Sequence, residues 1–154
     1  MQIKQWDFPK NLPEFEKTTC LLQVTHYNAR VFLAHFDALS QLEDIHTEKA
    51  EKVHYSDHEG MSKKSTGGYT MPGMENNHLK QHMEKVFINY LIERIKFMHS
   101  QKMFQDLIIY TPADMKKQIE HKLPKNLQNR VRFVKGTFNY DTPYQLLDRL
   151  YVLK

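Results

Sequence analysis

Cysteine is nearly absent from this sequence of 154 residues: Cys20 is the only one, and it lies in the apolar run "TTCLLQV". A single cysteine excludes an intramolecular disulfide framework, so the sequence favours a reducing compartment. Because free cysteine behaves as a small apolar residue, we expect Cys20 to be part of the core and not a nucleophile.

Long apolar segments are absent as well. No stretch reaches the roughly 20 apolar residues of a membrane span. The N-terminal sequence "MQIKQWDFPKNLPEFEK" lacks the apolar centre of a secretion signal. The sequence therefore predicts a cytoplasmic protein without a membrane partner.

Glycine is scarce, and its distribution is uneven. Three of the five glycines lie in "MSKKSTGGYTMPG", inside a polar segment at about residues 49–76 that shows no periodicity. Loops of this length are usually functional or disordered, and glycine lets another molecule approach the backbone closely. We therefore predict a mobile binding loop, whose candidate residues are Lys63, Lys64, Gly67, Gly68 and Tyr69.

The remaining composition fits one folded domain. Apolar residues make up 40% and aromatic residues 12% of the chain, which argues against general disorder. Residues 1–17 contain two prolines and no periodic pattern, so we expect an extended N-terminal arm anchored by Trp6, Phe8, Leu12 and Phe15. A single domain should then follow over residues 18–154. The net charge of +4 favours anionic partners such as nucleic acid.

The apolar patterns predict an α/β fold. Strands are predicted near residues 19–27, 29–37, 40–47, 106–111 and 130–134. Helices are predicted over residues 77–100 and 142–152, with a shorter one after Pro112. This order indicates a mixed five-stranded sheet, an antiparallel meander plus two parallel strands, with helices on its faces. The first strand should lie beside the fourth.

A basic segment, "ADMKKQIEHKLPKNLQNRVRFVK", could contact phosphate groups of RNA, although ordinary solvated charge is the default explanation of such a run. Its candidate RNA contacts are Lys116, Lys117, Lys122, Arg130 and Arg132.

The pair His78 and His82 has the spacing of zinc ligands on one helix face. No third ligand can be named and no HExxH pattern is present, so the sequence predicts neither a metal nor another cofactor.

Over roughly residues 18–153 the chain resembles the bacterial host attachment protein family, through "QLEDIHTEKAEK", "FQDLIIYTPADMKKQI" and "FNYDTPYQLLDRL". That family is similar to the middle domain of eukaryotic and archaeal peptide-chain release factors, which implies the arrangement of that domain, related to ribonuclease H. In the release factors a Gly-Gly loop enters the peptidyl-transferase centre, and the glutamine after it helps to place the hydrolytic water. Tyr69 stands at that position here, and its side chain has no amide.

The main hypothesis is therefore a release-factor-like domain that binds RNA or a translation component, such as the ribosome or tRNA, without efficient hydrolysis. One alternative is a module that binds a protein partner and has an indirect role in attachment. The enzymatic alternative is a peptidyl-tRNA hydrolase. Salt separates the first two, because binding to RNA weakens steeply as salt rises and an apolar protein contact does not.

Overall fold

The computed structural model describes residues 5–8, 14–46 and 74–152. One sheet of six strands, ordered β1-β4-β3-β2-β5-β6, forms the centre of the fold. Its strands are β1 (Gln5–Asp7), β2 (Phe15–Val24), β3 (Asn28–Phe36), β4 (Ala38–His46), β5 (Asp106–Thr111) and β6 (Val131–Lys135). The helices are α1 (Met74–Ser100), α2 (Ala113–Lys122), α3 (Lys125–Gln128) and α4 (Pro143–Val152).

The centre of the sheet is β2, which pairs antiparallel with β3 and parallel with β5. Cys20 lies opposite Leu33 on one side and opposite Leu107 on the other. Residues 19–24 of β2 and 107–111 of β5 are all buried, as expected for strands that are covered on both faces. The predicted mixed α/β fold is confirmed. The strands predicted near residues 19–27 and 106–111 are β2 and β5, and their predicted pairing is confirmed as well.

Helices cover both faces of the sheet. The first face packs against α1, α2 and α3, with Phe87, Leu91 and Ile95 of α1 fully buried there. The second face packs against α4 through Leu146, Leu147 and Leu150. Each face therefore has its own apolar core, and the sheet is common to both.

The sheet contains one strand more than the sequence predicts. Residues 5–7 form β1, which pairs antiparallel with residues 38–40 of β4. The ring of Trp6 packs edge-on against Phe32 at 5.9 Å, and Phe8 packs against Phe15 at 5.7 Å. Three residues are too few to show the alternation of apolar and polar residues that is typical of a strand. The strand therefore depends on this tertiary packing.

Helix α1 begins at Met74, three residues before the predicted start at 77. It ends in a Schellman motif. The N–H of Met103 donates to the carbonyl of Met98, and the N–H of Lys102 donates to the carbonyl of His99. Lys102 has a φ of 58°, as this motif requires.

No helix in the described part of the chain has the length and apolarity that a membrane span requires.

Candidate nucleic-acid interface

A polar cleft opens where the three parallel strands begin. Its volume is about 600 Å³. It is lined by Lys17, Gln105, Asp106, Asn129, Arg130, Val131 and Arg132. Only Val131 among these is apolar, so the cleft suits a charged or polar ligand better than an apolar one.

Strand register brings these residues together. Asp106, the first residue of β5, lies opposite Thr19 of β2, and the N–H of Gln105 donates to the carbonyl of Thr18 at 2.8 Å. On the other side of β5, the N–H of Leu107 donates to the carbonyl of Arg130 at 3.2 Å. Since parallel strands start at the same edge of a sheet, the residues beside these starts become neighbours.

The cleft carries more positive than negative charge. Lys17, Arg130 and Arg132 are exposed, whereas Asp106 is half-buried and is the only carboxylate among the described residues that line the cleft. None of the three cations forms an ion pair with another residue of the described ranges. Their charges therefore face solvent and are available to an anionic ligand.

The five basic residues predicted to contact RNA do not form one group. Arg130 and Arg132 line the cleft. Lys116 lies over the ring of Phe133 at 5.6 Å and pairs with Glu120 at 3.8 Å. The ammonium group of Lys122 donates to the side-chain oxygen of Asn89 on α1.

Lys117 is exposed on α2 and does not line the cleft. The three lysines of α2 are therefore separate from the cleft, and whether they contact RNA stays a prediction.

The other predicted site residues stay untested. Lys63, Lys64, Gly67, Gly68 and Tyr69 lie outside the described residues. The side chain of His78 also lies outside them, and His82 is exposed on α1.

Sequence reasoning missed Lys17, Gln105 and Asn129 as neighbours of the two arginines. Lys17 is more than a hundred positions before Arg130 in the chain. No motif links residues so far apart, and only the pairing of β2 with β5 and of β5 with β6 could have indicated the cleft.

Residues 26–134 match the protein family described as "Protein required for attachment to host cells". The comparison with curated proteins gives no match. Among solved structures, the chain is similar to an archaeal translation termination factor, with 11% identity, a TM-score of 0.47, and coverage of 88% of this chain and 38% of that one. It is also similar to an archaeal protein with 12% identity, a TM-score of 0.45, and coverage of 88% and 37%. The chain thus spans less than two fifths of the length of either structure.

Proposed function

This chain belongs to the family of proteins required for attachment to host cells, and within that family we propose that it is an RNA-binding domain whose part in attachment is indirect. The RNA is held at the cleft of Lys17, Arg130 and Arg132. RNA binding by the loop residues Lys63, Lys64, Gly67, Gly68 and Tyr69 stays a prediction, because these residues lie outside the described part of the chain. The proposed RNA belongs to the translation machinery, such as tRNA or the ribosome, and the proposed place of action is the cytoplasm.

The observation that carries this proposal is the cluster of three cations at one end of the sheet, none of which forms an ion pair among the described residues. Phosphate contacts supply most of the affinity of proteins for nucleic acid without sequence preference. Arginine is well suited to them, because its planar guanidinium can donate two parallel hydrogen bonds to one phosphate. A cleft with two arginines and one lysine offers several such contacts along a backbone.

The uncharged polar residues of the cleft can extend this recognition. Gln105 and Asn129 carry amide groups that both donate and accept hydrogen bonds, as base edges and the ribose 2′-hydroxyl require. The carboxylate of Asp106 would repel a phosphate placed next to it. It can accept a hydrogen bond from a base amino group or a hydroxyl. The cleft therefore favours a nucleic acid over a free inorganic anion.

The proposal does not include efficient hydrolysis. Tyr69 follows the two glycines, and a phenol cannot supply the amide that positions water in the release factors that the sequence resembles. Incubation of the protein with peptidyl-tRNA on ribosomes tests this point, since release of peptide at a rate well above background would contradict it.

The test of RNA binding is a salt titration. We expect fluorescein-labelled tRNA, and a single-stranded RNA of about 20 nucleotides, to bind the wild-type protein with an affinity that falls steeply as salt rises. Replacing Lys17, Arg130 and Arg132 together by glutamine should weaken binding about tenfold or more at low salt. It should also reduce the slope of log K against log salt by about 2, because single strands contribute about 0.7 per phosphate contact.

A matched control removes the same charge elsewhere. Lys80, Lys85 and Lys96 are exposed on α1, and their triple replacement by glutamine also removes three positive charges. If this variant and the cleft variant bind RNA equally, the effect is one of net charge and the cleft is not the site. Binding to lysate components that is insensitive to both salt and ribonuclease would favour a protein partner instead.

A further inference from the structure

Three side chains with metal-binding atoms meet at the opposite end of the parallel strands. His26 lies in the turn between β2 and β3, Asp114 lies in the first turn of α2 just after β5, and Glu84 lies on α1. Residues that follow β2 and β5 come together because parallel strands end at the same edge. The pairing places His26 and Asp114 side by side, and the helix that crosses this face adds Glu84.

The ligand atoms of these side chains lie within 4.8 Å of one another. The Nε2 atom of His26 and Oδ2 of Asp114 form a hydrogen bond of 2.8 Å, whose proton a bound metal ion would replace. With metal–ligand bonds of about 2.1 Å, neighbouring ligand atoms are about 3.0 Å apart in an octahedral site and about 3.4 Å apart in a tetrahedral one. His26 and Asp114 are thus already near the required spacing, and a rotation of the long Glu84 side chain can complete the set.

The charge of the cluster also favours a cation. It holds two carboxylates and one imidazole, and Glu84 forms no ion pair with a cationic side chain among the described residues. His26 can offset one negative charge only when it is protonated. A divalent cation would balance both carboxylates and bind the neutral imidazole.

We propose that His26, Glu84 and Asp114 bind one divalent first-row transition metal of the Zn²⁺ class. A nitrogen ligand combined with two carboxylates selects such metals over Mg²⁺ and Ca²⁺, which prefer oxygen ligands alone. Three protein ligands leave further coordination positions for water or an oxygen atom of a substrate. The site has a path for entry, because 42% of the His26 side chain and 66% of the Asp114 side chain are exposed.

The three proposed ligands do not include His82, and the site does not depend on RNA binding. The cleft variant described above should bind zinc as the wild type does. Loss of zinc binding and loss of RNA binding are therefore independent results.

The experiment is a calorimetric titration of ZnCl₂ into the full chain, prepared metal-free and without a histidine tag. We expect one zinc ion per chain, bound in the presence of excess Mg²⁺. The substitutions Glu84→Gln and Asp114→Asn keep the size of each side chain, and each should weaken zinc binding at least tenfold. Titration with CoCl₂ should give visible absorption bands that both variants lose.

Two controls separate this site from other surface histidines. His121 is exposed on α2 outside the cluster, so His121→Ala should bind zinc with unchanged affinity. His54 and His58 have the same spacing as His78 and His82. The double variant His54→Ala/His58→Ala should also leave zinc affinity unchanged. The proposal is overturned if Glu84→Gln and Asp114→Asn bind zinc as tightly as the wild type, or if either control abolishes binding.

Discussion

Cys20 illustrates how its surroundings determine the chemistry of one residue. It lies in the central strand β2, between β3 and β5, and its side chain is fully buried in the core beneath α1 and α2. Burial raises the pKa of the Cys20 thiol far above its ordinary value, and the nearby charge of Glu43 raises it further. The thiolate is the reactive form, so this cysteine is inert, as the apolar run around it predicts.

We expect the native protein to resist thiol-specific reagents at pH 8, and the denatured protein to react with one equivalent of reagent. The unfolded thiol ionises near pH 8.5, whereas the folded one stays neutral. The contribution of the Cys20 thiol to the free energy of unfolding is therefore fully present below about pH 8.5. It is lost as pH rises above that value, because the unfolded thiol then ionises and the folded one does not. Absorbance after addition of a disulfide reagent measures the reaction, and rapid modification of the native protein would show that Cys20 is accessible.

Helix α1 shows how one element is stabilised by part of its surface. Apolar residues continue along much of the helix, but only those facing the sheet are buried, as for Leu91 and Ile95. Leu79 and Phe97 are 53% and 50% exposed, although both were at helical spacing with the buried residues. The helix therefore depends on tertiary packing over its buried stripe more than on its apolar content.

Two leucines of α1 provide a matched pair of substitutions. We expect Leu91→Ala to lower the free energy of unfolding by about 2 to 5 kcal/mol, because it leaves a cavity in the core. Leu79→Ala makes the same chemical change at an exposed position and should cost about 0.5 kcal/mol or less. Urea denaturation followed by circular dichroism measures both, and equal effects would contradict the assigned orientation of the helix.

At the scale of the whole molecule, the sheet connects two apolar cores. Leu21 of β2 faces the core under α4, while its neighbours Cys20 and Leu22 face the core under α1 and α2. Tyr110 of β5 donates a hydrogen bond to the carbonyl of Leu146 on α4 at 2.6 Å, which ties that helix to the sheet. Loss of either core removes support from the same strands, so the described structure should unfold as one cooperative unit.

This cooperativity can be measured with two probes. Trp6 is the only tryptophan and packs on the face under α4, whereas far-ultraviolet circular dichroism reports mainly on helices, of which α1 is the longest. We expect Leu147→Ala, a substitution under α4, to shift the urea midpoints of both signals by the same amount. A shift confined to Trp6 fluorescence would show instead that the two faces unfold independently.

Several features of the fold could be predicted because their signals are local. The run "DLIIYT" is apolar throughout, as is typical of a strand covered on both faces, and it forms β5. The family resemblance, read from segments such as "FQDLIIYTPADMKKQI", is confirmed by the match over residues 26–134. The sequence did not predict β1, because three residues are too few to show an apolar periodicity. The binding loop around Gly67 and Gly68 stays a prediction, because it lies outside the described residues.

The sequence by itself determined the type and order of the main elements, because apolar periodicity and capping residues act over a few positions. It also pointed to Arg130 and Arg132 as basic residues at the start of a strand. Only the tertiary structure decided that Lys17 lies beside them, and that His26, Glu84 and Asp114 meet at the other end of the sheet. These juxtapositions depend on strand register and on the path of α1 across the sheet. Both are set by the packing of two apolar faces, which no local pattern in the chain records.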